Sequence, residues 1–335
     1  MIHLRHRPLD LHLRHTFRLA RGATDVRHNL VVEVEDGGLV GLGEAAPIPR
    51  YEQDRDSAAA AVEVMAGRLD GVRAFHGAAR SAAVPGQSAA AAALDMALRD
   101  LAGQRFGAPL YEVLGLDPAA TPPTSFTIGM DTPEIVARKV GEAADYEILK
   151  VKLGGPEDRR MLETVRDLTD RPLLVDANEG WTLEEALSNL EWLASLGVAL
   201  VEQPLPADRL DDARTLRRAS PLPLYADESV HTADDLPRLA DAFDGINVKL
   251  MKCGGIGEAL RMIEVARALG LSVMLGCMVE SSIAITAAAH LSPLVDWADL
   301  DGNLLVTDDP FVGATIVGGR IRLPEGPGLG VRPRG

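Results

Sequence analysis

The runs ILKVK (148–152), LLVDAN (173–178), LVEQP (200–204), LYADES (224–229) and INVKLMK (246–252) follow one another through the middle of the chain. SVMLGCM (272–278) and WADLDGN (297–303) continue the series. Each is a short apolar run ending on a reactive residue: Lys152, Asp176, Glu202, Asp227, Lys249, Cys277 and Asp299. Those residues are 24, 26, 25, 22, 28 and 22 positions apart, about the length of one strand, one helix and two short loops. Between the runs, LEEALSNLEWLASLG (183–197) and IGEALRMIEVARALG (256–270) carry apolar residues at helical spacing. Strands that alternate with helices imply a parallel sheet, and this many units at one period imply a closed α/β barrel. In such barrels the reactive side chains sit where strands end, at the C-terminal face. The lysines and carboxylates are therefore expected at one mouth.

Outward from that core, SFTIGMD (125–131) reads as the first barrel strand, with Thr127 near its end, and the Pro-rich LDPAATPPT (116–124) as a boundary. Before it lies an α+β region. HLRHRPLDLHL (3–13) is strand-like, and NLVVEVED and LVGLGEAAP flank Asp36-Gly37-Gly38 as a hairpin. FRLARGATDVRH (17–28) and PIPRYEQDRDS (47–57) read as polar loops. Two Ala-rich helices follow, the second stopping at Gly107 with Pro109 just beyond. The expected organisation is a capping domain over 1–120, a barrel over 121–309 and a turn-rich segment over 310–335 that returns to the cap.

The net charge of -15 argues against a nucleic-acid partner. Cys253 and Cys277 are the chain's two cysteines, too few for a disulfide framework or a zinc cluster, so a reducing, cytoplasmic setting is expected. No window of about 20 apolar residues occurs, so no membrane span is expected. The expected partners are a small molecule and further copies of the chain in a homo-oligomer.

Asp176, Glu202 and Asp227 end three consecutive strands. Three carboxylates that close repel one another unless a hard cation neutralises them, and all-oxygen ligation suits Mg²⁺. Lys150 and Lys152 are two apart on one strand, so both face the lumen. Their mutual repulsion, with a divalent cation nearby, is expected to lower their pKa values toward those of a general base. Lys249 comes from four strands further round, on the opposite side, while Lys252 reads as a loop or helix-start residue. Two amines across a metal-bound carboxylate suit proton removal from the neighbouring carbon, enediolate stabilisation by the metal and reprotonation from the other face. A lyase using one lysine as base fits the same set. Asp299 and Asp301 share a face and could hold a cation, a substrate ammonium being the natural candidate; an Asp-Gly turn is the alternative. None of the eight histidines ends a barrel strand, and Cys277 has no histidine partner in register.

LKVKLGG, VDANEGW, VEQP, ADES and NVKLMKCGGI together resemble the muconate-lactonizing-enzyme subgroup of the enolase superfamily, and AAAALDMALRDLAGQRFGAPLYEVLG resembles its capping domain. The resemblance implies an α+β cap over a (β/α)₇β modified TIM barrel. The Asp-Leu-Asp at 299–301 is similar to that of the dipeptide epimerases, whose two aspartates grip the substrate's ammonium. By that resemblance Lys152 and Lys249 are the acid/base pair and Lys150 helps bind the carboxylate. Asp176, Glu202 and Asp227 hold one Mg²⁺ per subunit, and Thr127 and Cys277 line the pocket. The expected reaction inverts the C-terminal residue of an L,L-dipeptide. An N-acylamino-acid racemase, an o-succinylbenzoate synthase, a cycloisomerase and a non-catalytic binding protein remain alternatives.

The resemblance also implies an arginine just after the Arg-Gly step of the first capping loop in Ala-Glu epimerases. This chain reads Arg21-Gly22-Ala23-Thr24-Asp25, which counts against Ala-Glu specificity. Thr24 and Asp25, with Glu52 and Asp54 in the second loop, are the candidate specificity residues, and the three acids point to a cationic substrate side chain.

Overall fold

The computed structural model describes residues 2–19, 22–69, 75 and 77–335; Arg21 lies outside them. Eight parallel strands form one sheet: β4 (Ser125–Ile128), β5 (Ile148–Lys152), β6 (Leu173–Asp176), β7 (Val198–Glu202), β8 (Leu224–Ala226), β9 (Gly245–Lys249), β10 (Ser272–Gly276) and β11 (Trp297–Asp299). They are ordered as in the sequence, each hydrogen-bonded to the next. A bridge between Thr124 and Ala298 brings the two ends of the sheet together. The arrangement is the expected (β/α)₇β barrel. Apart from the polar and charged residues they carry toward the mouth, its strands are mainly apolar and nearly all buried, as parallel strands covered on both faces must be.

A three-stranded antiparallel sheet of β1 (His3–Leu19), β2 (Gly22–Asp36) and β3 (Leu39–Ala45) caps this barrel, with α1 (Arg55–Arg68) and α3 (Ser88–Phe106) packed against it and α2 (Ala78–Ala82) packed on those two helices. α3 can approach closely because β3 offers glycine there: a Cβ on Gly43 would stand 1.9 Å from the carbonyl oxygen of Ala93. The expected polar loop at 17–28 is corrected. Its arms are strand, with Phe17 paired to Thr24 and Leu19 to Gly22, beyond an irregularity between His12 and Phe17. The residues read as loop because they are polar, yet pairing along the long hairpin satisfies their backbone groups. At the irregularity β1 reaches the barrel, where Leu13 bridges Val306.

α4 (Leu110–Val113) ends the cap region, and α5 (Pro133–Glu142), α6 (Asp158–Leu168), α7 (Leu183–Ser195), α8 (Leu210–Ala219), α9 (Leu236–Leu239), α10 (Leu250–Cys253), α11 (Ile256–Ala268) and α12 (Ser282–Ala289) connect the barrel strands. α7 starts on a capping box between Thr182 and Glu185, satisfying two backbone donors that would otherwise lack partners. Cap and barrel are joined through charge and polar contacts. Glu44 of β3 accepts from the Ser281 N–H at 2.9 Å and hydroxyl at 2.5 Å, at the start of α12. The segment after residue 309 touches both parts: Leu110 N–H donates to the Gly328 carbonyl, and Ala314 N–H to the Thr286 hydroxyl.

His290 ties three of these pieces together. It is fully buried; Nδ1 accepts from the Tyr111 N–H at 3.2 Å and Nε2 faces the Leu329 carbonyl at 3.1 Å. That set requires the neutral ring with its proton on Nε2, and burial pushes the pKa down to about 4. The unfolded chain takes up the proton near pH 6.5 and the folded chain only near 4. The contribution is therefore complete above pH 6.5 and is lost as the pH falls toward 4, about 3 kcal/mol in all. Urea titrations at pH 7 and pH 4 are expected to show a loss smaller by that amount in His290→Gln than in the parent. Equal losses would assign the acid sensitivity elsewhere.

Candidate active site

Three carboxylates stand at the centre of the mouth. Asp176 ends β6, Glu202 ends β7 and Asp227 follows β8, all but fully buried. One oxygen of each lies within 4.8 Å of the others. Oxygens held at 2.0–2.6 Å around one hard cation have that spacing. The donor set therefore fits a single Mg²⁺, and these three residues are the ones that would hold it.

The supports of the cluster were not legible in the sequence. Asn247 of β9 donates to Glu202 Oε1 at 2.8 Å. That carboxamide packs on Gly276, where a Cβ would fall 2.5 Å from its oxygen, so β10 needs glycine at that position. Gln203 takes a left-handed backbone with φ of 36°, uncommon and strained for a residue with a Cβ. Its side-chain oxygen accepts from the Asp227 and Ser229 N–H groups, which fixes the turn carrying Asp227.

Four lysines surround the carboxylates. Lys150 is completely buried, its ammonium 2.6 Å from Glu202, 2.6 Å from Asp299 and 3.5 Å from Asp176. Lys152 reaches Asp176 at 2.5 Å, and Lys249 reaches Asp227 at 2.7 Å. β5 and β9 are four strands apart in a ring of eight, so Lys152 and Lys249 approach from opposite sides. Lys252, read from sequence as a loop or helix-start residue, sits in α10 and folds back onto the Asp227 carboxylate. A lysine one helical turn past a strand end can point into the mouth, which linear spacing does not reveal.

The lowering expected at Lys150 is not found, and Lys249 is shifted in the same upward direction. Burial pulls Lys150 and Lys249 down. The facing carboxylates outweigh it, Asp299 and Glu202 at Lys150 and Asp227 and Glu202 at Lys249, and hold both well above the ordinary value. The carboxylates divide. Burial opposes ionisation of Asp176, but Lys152 and Lys150 bring it down to about 2. At Glu202 burial and the charge of Asp176 win, and its pKa rises to about 7.

Asp299 and Asp301 part company. Asp299 accepts from the Ser125 hydroxyl and from Lys150, both at 2.6 Å; burial opposes its charge, but Lys150 keeps its pKa low. Asp301 accepts from the Thr127 N–H at 2.6 Å, and burial and then Asp299 raise it to about 6. Among the described residues Asp301 is in no ion pair, whereas Asp299 pairs with Lys150.

A cavity of about 620 Å³ opens over the cluster, within the range of small-ligand pockets. Lys152, Lys249, Asp227, Cys277 and, from the cap, Thr24 line it. Arg27, Tyr51 and Met278 line it too and were not singled out from the sequence. Thr127 lines a separate cavity beside Tyr146. The three acidic specificity candidates do not converge. Asp25 is solvent-exposed, Glu52 lines another cavity beside His231, and Asp54 is spent as the N-cap of α1. Sequence reasoning also passed over Glu280, buried after β10, whose carboxyl burial and the charge of Glu44 push up to about 8.

Comparison with known proteins agrees with this picture. The mandelate racemase/muconate lactonizing enzyme N-terminal domain family matches residues 2–115, and the enolase C-terminal domain-like family matches residues 135–335. The chain is 43% identical over 333 residues to an L-Ala-D/L-Glu epimerase of Bacteroides thetaiotaomicron, covering 97% of this chain and 86% of the relative. It is 42% identical over 340 residues to an L-Ala-D/L-amino acid epimerase of Pedosphaera parvula, covering 98% of each. The crystal structure of a dipeptide epimerase from Cytophaga hutchinsonii, complexed with Mg and the dipeptide D-Ala-L-Val, superposes with a TM-score of 0.93 at 29% identity over 99% of this chain and 95% of that one. With both of its parts matched, this chain is an isomerase that belongs to the mandelate racemase/muconate lactonizing enzyme family of the enolase superfamily.

Proposed function

We propose that this protein is a Mg²⁺-dependent dipeptide epimerase that inverts Cα of the C-terminal residue of an L,L-dipeptide by proton transfer between Lys152 and Lys249. The observation that carries the reading is the opposition of those two amines. Each meets a different end of one carboxylate triad, from strands half a ring apart. Relatives acting on dipeptides, one of them bound to Mg and a dipeptide, support the substrate class.

In this reading Asp176, Glu202 and Asp227 would hold the ion, which when bound would supply the positive charge that makes the C–H beside the substrate carboxylate acidic. Lys150 adds a fixed positive charge beside that carboxylate. One of Lys152 and Lys249 takes the Cα proton as a neutral amine, and the other, as an ammonium, delivers a proton to the opposite face. Asp301 receives the substrate's free ammonium, with Asp299 steadied by Lys150 alongside it. The catalytic barrel would comprise 121–309, capped by 1–120, with 310–335 bridging the two.

Incubating the protein with Mg²⁺ and a library of L,L-dipeptides in D₂O is expected to place one deuterium at the C-terminal Cα of those it accepts, read by mass spectrometry together with the appearance of the L,D epimer. A library that stays unlabelled would refute the proposal. In Asp301→Asn, KM for the accepted dipeptides is expected to rise tenfold or more, about the effect of losing one charged partner. An unchanged KM would favour an N-acylated substrate, which carries no ammonium. Asp299 is the poorer probe, because replacing it also frees Lys150.

A further inference from the structure

A chain of hydrogen bonds that starts in the cap ends beside Lys249. α10 follows that lysine directly and is a single turn of four residues, too short to hold its own shape. Its last carbonyls find no partners within so short a helix. The Met251 carbonyl is satisfied from outside, by the Ser88 hydroxyl at the start of α3, which donates to it at 2.8 Å. Ser88 in turn accepts from Gln53 Nε2 at 2.9 Å, and Gln53 Oε1 accepts from the Ala89 N–H at 3.0 Å. The Ala46 N–H reaches the Met251 sulfur at 3.2 Å. Just beyond the turn, a Cβ on Gly255 would fall 2.6 Å from the Asp95 Cβ, and the Asp95 carboxylate takes the Gly257 N–H at 3.0 Å. The turn that carries Lys249 is thus seated on the cap.

Gln53 is buried in the loop at 47–57, where Ile48, Pro49, Arg50 and Tyr51 line the cavity over the cluster. Glu52, just before it, keeps a left-handed backbone with φ of 56°, a conformation that persists only where neighbouring contacts fix it. The chain from Gln53 through Ser88 to Met251 therefore runs from the wall of the cavity to a turn bearing two amines, Lys249 and Lys252, which both reach Asp227. Lys152 has no such support. It ends β5, and the turn after it closes on barrel residues: the Gly154 and Gly155 N–H groups and Trp181 Nε1 all donate to Asp158. Among the described residues no side chain of the cap bonds to residues 148–158. Resting on the dipeptide reading, in which each amine serves one face of Cα, we infer that Gln53 and Ser88 are positioning residues for Lys249. The cap then sets one of the two bases and the barrel sets the other.

The test follows Cα–H exchange in each epimer of an accepted dipeptide, and inversion between them, by NMR in D₂O with Mg²⁺. The proteins compared are the parent, Lys249→Ala, Ser88→Ala, Ser88→Thr and Gln53→Leu. Lys249→Ala identifies the epimer that Lys249 serves. In Ser88→Ala and Gln53→Leu, exchange of that epimer and inversion in both directions are expected to fall by about 100-fold, the cost of a misplacement of about 1 Å. The other epimer should keep exchanging near the parent rate. Ser88→Thr retains the hydroxyl, its added methyl has room in the cavity shared with His231, and both epimers should exchange as in the parent. Arg50 ties the same loop to Glu179 beyond β6, so the substitutions are confined to the chain behind it. Slowing of both epimers alike overturns the inference, because a purely structural role predicts it, and so does slowing of neither. A Ser88→Thr as impaired as Ser88→Ala also overturns it. Where one of Ser88→Ala and Gln53→Leu lacks the parent's thermal transition, the other decides, and if neither folds the pair is structural and the inference fails. An active parent with symmetric variants defeats this inference alone. A parent that exchanges nothing in the wider dipeptide library defeats the epimerase reading and this inference with it.

Discussion

Alanine at Lys152 or at Lys249 is expected to lower epimerisation by about 10³-fold or more, the usual share of a positioned acid or base, while splitting the reaction into halves. With two bases on opposite faces, each lysine can reach the Cα proton of one epimer only. Lys152→Ala should therefore still exchange that proton for deuterium in one epimer and leave the other untouched, and Lys249→Ala should do the reverse. Neither should convert one epimer into the other. NMR of the L,L and L,D dipeptides in D₂O with each variant reads the pattern directly. Two variants that both exchange the same epimer would sink the opposed-base arrangement, and so would a variant that still inverts. Because both lysines also pair with carboxylates of the triad, folding has to be checked separately. Retention of the parent's cooperative thermal transition in each variant serves that purpose.

The pattern was visible in advance because barrel architecture writes itself at a fixed interval. ILKVK and LLVDAN are strands whatever surrounds them, being short, apolar and followed by amphipathic helices, and their last residues meet at the mouth by topology alone. Two-residue spacing likewise put Lys150 and Lys152 on the lumen face, where both are buried. Residues whose position depends on tertiary contact were hidden. Lys252 needs the short turn of α10 to bring it onto Asp227. Arg27 is one arginine in a polar run until the hairpin extends and β2 turns that face toward the loop at Val279. Asp54 looked like a binding residue because a loop acid and a helix N-cap have the same sequence appearance; its bond from the Ser57 N–H at 2.8 Å assigns it to the helix. Lys150 is shifted up rather than down for a related reason. The sequence counts charges, but which ones face each other is decided by side-chain direction.

Treatment with EDTA is expected to abolish epimerisation, and Mg²⁺ to restore it, with an affinity that runs against first intuition. The buried cluster holds four carboxylates, Asp176, Glu202, Asp227 and Asp299, and four ammonium groups, Lys150, Lys152, Lys249 and Lys252. With all of them ionised the charges match, and a divalent ion must compete with Lys152 and Lys249 for the oxygens of Asp176 and Asp227. Removing either amine should therefore strengthen Mg²⁺ binding even as it destroys turnover, whereas Glu202→Gln, which removes a ligand charge, should weaken it by 100-fold or more, exceeding the 10- to 100-fold typical of second-shell changes. Substrate brings a carboxylate that offsets part of the ion's charge. Mg²⁺ and dipeptide should therefore each tighten the other by the same factor, as linkage requires of two ligands at one site. Calorimetric titration of Mg²⁺ into the parent, Lys249→Ala and Glu202→Gln, with and without an accepted dipeptide, measures every arm. At 100 times its Kd the ion should add about 2.7 kcal/mol to folding stability, seen as a rise in Tm. If Lys249→Ala bound Mg²⁺ more weakly than the parent, the ammonium would be supporting the ion rather than competing with it, and the electrostatic account of the mouth would have to be redrawn around a cation site away from Asp227.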